Sequence, residues 1–265
     1  MQVSKTAILT TVANFELYRK TSILFPEGVQ KYIIDGRDGM HGIHSLVYMM
    51  HKLKNKGIHW LIMADEDVVF TDNKLVFSLI DKMNIEGITV CGVRDGGVVL
   101  HRKKNPFVIN TFFSVINLKE VFNIWNKKEM LKNQYIEEGE FQDDLSGLKG
   151  DFDRKSLYEP YYCFYFWLRR QEKRFLFLES KMCSDMIAND VYYENKKLLC
   201  HTWYARSYGE NKKHTDRINV ILNANGVENN IETDFMDVII YKKRWFYMQK
   251  LIRKYYKYLI MKLRK

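Results

Sequence analysis

Five uninterrupted apolar residues, Trp60–Ala64 (WLIMA), run straight into three carboxylates, Asp65, Glu66 and Asp67. A run this short and this apolar predicts a strand buried on both faces. Such strands belong to mostly parallel sheets covered by helices. Negative charge concentrated at the edge of a core is costly unless a cation neutralises it. Sheets of this kind also take their ligands at the carboxyl ends of the strands. The run therefore predicts a fold class and marks where chemistry belongs.

Strand and helix signals alternate around it. Residues 5–13 (KTAILTTVA) and 30–34 (QKYII) predict strands, and 36–42 a glycine-rich loop. Residues 43–55 and 74–83 have helical spacing; 87–93 and 107–118 read as strands. A helical pattern covers 119–131, an acidic loop or lid 137–154, an aromatic helix 160–170 and a short strand 174–178. The segment 198–203 closes the body, and 205–232 is polar. This order predicts an α/β fold with a mixed, mostly parallel sheet flanked by helices. Length fits one main body, 1–215, a connecting segment, 216–240, and an appendage, 241–265.

Several classes are excluded by what the motifs lack. The loop 36–42 is neither GxxxxGK[ST] nor GxGxxG, so neither a Walker A loop nor a dinucleotide fingerprint is present. Cys91, Cys163, Cys183 and Cys200 form no CxxC pair, which fits a reducing compartment and gives no support for a zinc site or a disulfide framework. No uncharged apolar run approaches the ~20 residues that span a bilayer. No secretory leader pattern is legible at the start, so a cytoplasmic protein is expected.

Hard oxygen ligands such as Asp65 and Asp67 suit Mg²⁺ or Mn²⁺, and either ion can bridge two phosphates. An acidic turn after a strand would give the same letters by chance, and context favours the metal. WLIMADEDVVF (60–70) resembles the Asp-x-Asp strand of the GT-A glycosyltransferases. VINTFFSVINLKEV (108–121) is similar to the asparagine-serine-glycine strand and "INLK" of glycosyltransferase family eight, with Asn110, Thr111 and Phe112 where that family has small residues. CHTWYARSYG (200–209) is similar to the late segment that supplies a histidine ligand in many GT-A enzymes.

That resemblance implies a Rossmann-like nucleotide-diphospho-sugar transferase fold. It implies that Asp65 and Asp67 hold the metal and meet the ribose and diphosphate, that Glu66 between them also meets the donor, and that His201 is a third metal ligand. Arg206 is a candidate for the diphosphate oxygens. By the same resemblance, the backbone at Thr11, Val12 and Ala13, with Asn14, Asp35 and Arg37, meets the base and ribose. An inverting transfer needs a carboxylate base. Asp143, Asp144 and Glu159 are the candidates, and Gln142-Asp143-Asp144 is distantly similar to the family's "DQD".

The net charge of +10 is confined to the tail: 241–265 holds ten Lys or Arg and no acid. Trp245, Met248, Ile252, Tyr255, Leu259 and Leu263 recur at spacings of three and four, forming one apolar stripe. A basic, aromatic amphipathic helix suits an anionic lipid surface. The tail predicts a protein peripheral on the inner face of the cell membrane. The GT-A resemblance implies a metal-dependent glycosyltransferase that moves a sugar from a nucleoside-diphosphate donor, UDP-sugars first, to a glycan or lipid-linked acceptor, and by family analogy in bacterial-type surface polysaccharide or lipopolysaccharide synthesis. No nucleic-acid partner is expected. The alternatives are a nucleotidyltransferase of related fold, which would show a GxGxR-like loop after the first strand, and a non-catalytic membrane or nucleic-acid adaptor.

Overall fold

The computed structural model describes residues 5–228 and 237–263. The first half contains β1 (Thr6–Val12), α1 (Phe15–Thr21), β2 (Gln30–Asp35), α2 (Ile43–Leu53), β3 (Trp60–Ala64), β4 (Val68–Phe70), α3 (Leu75–Glu86), β5 (Val90–Arg94) and β6 (Ile109–Asn117). There follow α4 (Leu118–Ile124), α5 (Lys127–Leu131), α6 (Tyr162–Arg170), β7 (Phe175–Phe177), β8 (Glu179–Met182), β9 (Asn189–Tyr193) and β10 (Lys196–His201). The chain ends with α7 (Lys212–Ala224), β11 (Val238–Tyr241) and α8 (Phe246–Leu263).

The apolar run at β3 is covered on both faces. Leu61 and Met63 join the core on one side, Trp60, Ile62 and Ala64 the core on the other, and none is more than 8% exposed. β1 alternates in the same way, with Ala7 and Leu9 on the first side and Ile8 and Val12 on the second. Each Leu, Ile, Val or Met among them contributes roughly 1.5–3 kcal/mol by leaving water. Helices α2 and α6 close the first face, α3 the second. Every α6 residue from 162 to 168 is buried, which explains why five of these seven are aromatic and none is charged. Helix α3 ends where Gly87 takes a left-handed backbone (φ +63°) and its N–H caps the Met83 carbonyl.

The central sheet has the order β11-β2-β1-β3-β6-β5-β7. Only β6 runs against its neighbours; β11–β2, β2–β1, β1–β3 and β5–β7 are parallel pairs. The mixed, mostly parallel sheet flanked by helices is the architecture the sequence predicts. A second, antiparallel sheet, β4-β10-β9-β8, was not legible in it. Its strands are three to six residues long, and a register shift between Lys197 and Leu199 breaks the alternation of β10. The expected helix over 119–131 is also two helices. Asn126 interrupts it, because its side chain accepts from the N–H groups of Lys128 (3.0 Å) and Glu129 (3.2 Å) and so starts α5 afresh.

The segment 216–240, expected as a connection, carries most of α7 and the strand β11, which adds to the central sheet beside β2. Residues 229–236 of it, like 1–4 and 264–265, lie outside the described residues, as do the side chains of Leu259 and Leu263. Tyr241 stacks on Tyr32 at 5.8 Å, and Phe246 buries its ring against His44 at 5.3 Å. Beyond Phe246 the helix leaves the body, with Met248, Ile252 and Tyr255 exposed. No helix among the described residues is long and apolar enough to cross a membrane.

Candidate active site

The acidic turn at the end of β3 is fixed from three directions. The Asp65 N–H donates to the Phe112 carbonyl of β6 (2.8 Å). Glu66 turns towards β1, where its Oε1 accepts the N–H groups of Ala13 (3.0 Å) and Asn14 (3.2 Å), while its carbonyl accepts Thr21 Oγ1 (2.9 Å). The Asp67 carbonyl accepts both the N–H (3.0 Å) and the hydroxyl (3.2 Å) of Thr202. Pairing of His201 with Val68 in the small sheet then sets His201 beside the turn.

His201 Nε2 lies 3.2 Å from Asp67 Oδ1. The ring stacks on Phe112 at 4.1 Å, almost parallel, and packs on Trp203 at 4.2 Å. Trp203 is in turn held by Asn189 (2.7 Å). Ligand atoms of Asp65, Asp67 and His201 all fall within 4.8 Å of one another. Burial first, then Asp67 and Glu66, push the Asp65 carboxyl well above the usual carboxylate range, with Arg206 pulling the other way. Glu66 is pushed up to about 7, chiefly by burial and then by Asp67, against the amides it accepts. Two oxygens and an imidazole, held together at this charge density, fit a hard divalent cation.

A cavity of about 560 Å³ opens over these groups, within the range of small-molecule sites. Asp65, Glu66, Asp67, His201, Thr11, Ala13, Arg206 and Glu159 line it. A second hollow of about 570 Å³ shares Ala13, Gly36, His41 and Arg206 with the first and adds Asn14 and Arg37. The remaining expected positions are used otherwise. Val12 is fully buried and its carbonyl accepts the Gly36 N–H (2.7 Å). Asp35 is buried against Arg37 (2.7 Å) and Lys242 (3.4 Å) and lines neither hollow. The Asn14 side chain caps α1 and donates to the Ala205 and Tyr208 carbonyls (2.9 and 2.8 Å).

Of the three candidate bases, Glu159 lines the cavity and Asp143 and Asp144 do not. Asp143 is clamped by Arg94 (2.7 Å) and Arg169, away from both hollows. Burial would raise its carboxyl, but hydrogen bonds from Arg169 and Arg94 win and hold it below the usual range. Asp144 is solvated and closes a local turn by accepting the Ser146 N–H (2.9 Å). Glu159 pairs with Arg102 (3.2 Å), which also lines the cavity. Sequence reasoning missed Arg102. Both of its 2.8 Å bonds go to Asp95, a fully buried carboxylate that also accepts from Asn110 (2.6 Å) and the Tyr162 hydroxyl. Nothing in the spacing of these residues signals the network.

No protein-family model matches the sequence, and no curated protein matches it. Among solved structures, a glycosyltransferase involved in the glycosylation of the major capsid of PBCV-1 is 20% identical, covering 47% of this chain and 68% of its own, with a TM-score of 0.31. A197 from STIV is 15% identical over 56% of this chain and 80% of its own (TM-score 0.33). The mannosyltransferase PcManGT from Pyrobaculum calidifontis, in complex with GDP-Man and Mn²⁺, is 6% identical over 45% of this chain and 46% of its own (TM-score 0.29).

Proposed function

We propose that the chain is a divalent-metal-dependent glycosyltransferase of the GT-A type, using a nucleoside-diphosphate sugar. The observation that carries this reading is the meeting of Asp65 and Asp67, from the end of β3, with His201, from the end of β10, on the wall of a 560 Å³ cavity. These three residues would hold Mn²⁺ or Mg²⁺, which supplies Lewis-acid stabilisation to a departing diphosphate. Arg206 adds a fixed cation on the same wall and pairs with diphosphate oxygens. The donor occupies the two adjoining hollows, with the ends of β1 and β2 on the nucleotide side.

For an inverting transfer we assign Glu159 as the base. Its carboxylate takes the acceptor hydroxyl proton as the oxygen bonds to the anomeric carbon and the bond to diphosphate breaks. Arg102 orients that carboxylate, and Asp95 orients Arg102. The acceptor is a glycan or a lipid-linked sugar. Exposed Trp245, Ile252 and Tyr255, on a tail with ten basic residues and no acid, support attachment to an anionic membrane surface. Surface polysaccharide or lipopolysaccharide synthesis is the pathway class this combination fits.

A thermal-shift screen of UDP-, GDP-, dTDP- and CMP-sugars with and without Mn²⁺ tests the reading. One nucleotide class should stabilise the protein only when metal is present, and Asp67→Ala should abolish that shift while remaining folded. Metal-independent shifts, or an unaltered shift in Asp67→Ala, would sink it.

A further inference from the structure

A second cluster of soft donors lies on the small sheet. Cys200 of β10 pairs directly with Asp190 of β9, so their side chains share a face. Cys183 lies just past β8, two positions on from Lys181, which also pairs with Asp190. The register shift in β10 pairs Lys197 with Tyr192 and returns Lys197 to the same face. Ligand atoms of Cys183, Asp190 and Cys200 all lie within 4.8 Å of one another. Cys183 Sγ and Cys200 Sγ are 4.0 Å apart.

That separation distinguishes two chemistries. A disulfide brings sulfurs to roughly 2.05 Å. Two thiolates on a tetrahedral Zn²⁺ at about 2.3 Å each stand about 3.8 Å apart, close to the spacing seen. Asp190 Oδ1 is shut off from solvent and meets Lys197 Nζ at 2.7 Å, but forms no well-aligned hydrogen bond among the described residues. The charges also close: a divalent ion balances two thiolates, and Lys197 balances Asp190.

We propose that Cys183, Asp190 and Cys200 form a site for a thiophilic divalent cation of the Zn²⁺ class, distinct from the centre at Asp65. Binding converts two thiols to metal thiolates and releases two protons; a water completes the four-ligand shell. The site ties the β8–β9 turn to β10. Because Cys200 and His201 are consecutive in a strand, the ion holds β10 from one face while His201 serves the cavity from the other.

The test uses the full-length chain, reduced and stripped of metal, titrated with Co²⁺ as a spectroscopic substitute for Zn²⁺. A thiolate-to-cobalt charge-transfer band should saturate at one equivalent and be lost on adding Zn²⁺. Cys91 and Cys163, fully buried elsewhere, contribute nothing to it. The band should persist in Asp67→Asn, which separates this site from the proposed donor site, and disappear in Cys183→Ser. Cys183 is only partly buried, so its replacement leaves the core intact. In the unaltered protein, Zn²⁺ should also abolish alkylation of Cys183. Absence of the band, its survival in Cys183→Ser, or alkylation that ignores Zn²⁺ would each overturn the proposal.

Discussion

The carboxylate of Glu66 is committed to the protein itself. It satisfies two backbone N–H groups at the end of β1, so Glu66→Ala should cost about 2 kcal/mol, the price of stranding buried donors. Glu66→Gln keeps the accepting oxygen and should recover most of that loss in a denaturant melt; equal losses in both variants would refute the clamp. If His201 is a ligand as proposed, His201→Ala should weaken Mn²⁺ binding by at least about 10-fold, measured by titration calorimetry, since losing a ligand costs no less than losing its outer-shell partner. Asp143→Asn should destabilise by about 3 kcal/mol at neutral pH, since it breaks a pair of nearly buried ion contacts. The folded carboxyl sits below its unfolded value, so this stability is complete above ~pH 4 and is lost as pH falls through the lowered folded value. The gap between the two proteins should be flat near neutrality and close in acid. Asp65, Asp67 and His201, picked out from the sequence at or just past the ends of the apolar runs 60–64 and 198–200, come within 4.8 Å of one another. The clamp on Asp143 was not legible, because its arginine partners come from residues 94 and 169, a pairing that no local pattern announces.

Among the elements, those with a clear apolar pattern were legible and those set by pairing were not. β3 follows from its unbroken apolar run and α3 from its helical spacing. β8 and β9 are short and largely polar on one side, and the shift in β10 hides its alternation, so the small sheet emerges only from its ladders. That sheet nonetheless delivers His201. Phe112, in β6, is the flat surface on which the imidazole rests. The tail tests a different kind of element. Trp245→Glu with Ile252→Glu and Tyr255→Glu changes only exposed positions. The triple variant should lose co-sedimentation with anionic vesicles and keep its melting temperature; unchanged pelleting would remove the membrane from the proposal.

At the scale of the whole molecule, the mixed sheet places the cavity beyond the carboxyl ends of β1 and β3, where parallel neighbours leave a crevice. The tail is joined to that region as well as to the sheet edge. Lys242 reaches Asp35, Phe246 packs on His44, and Lys250 approaches the loop at Gly39. A molecule lying on a lipid surface through α8 would therefore present the loop at Gly39 close to that surface. The acidic turn has a further consequence. Its neighbours come from residues 13–14, 112 and 201–202, so the halves of the polypeptide meet inside a single bend. A ribosome must release nearly the whole body before the imidazole can join its carboxylates. Half-made or clipped copies would carry the acids without the imidazole that faces them.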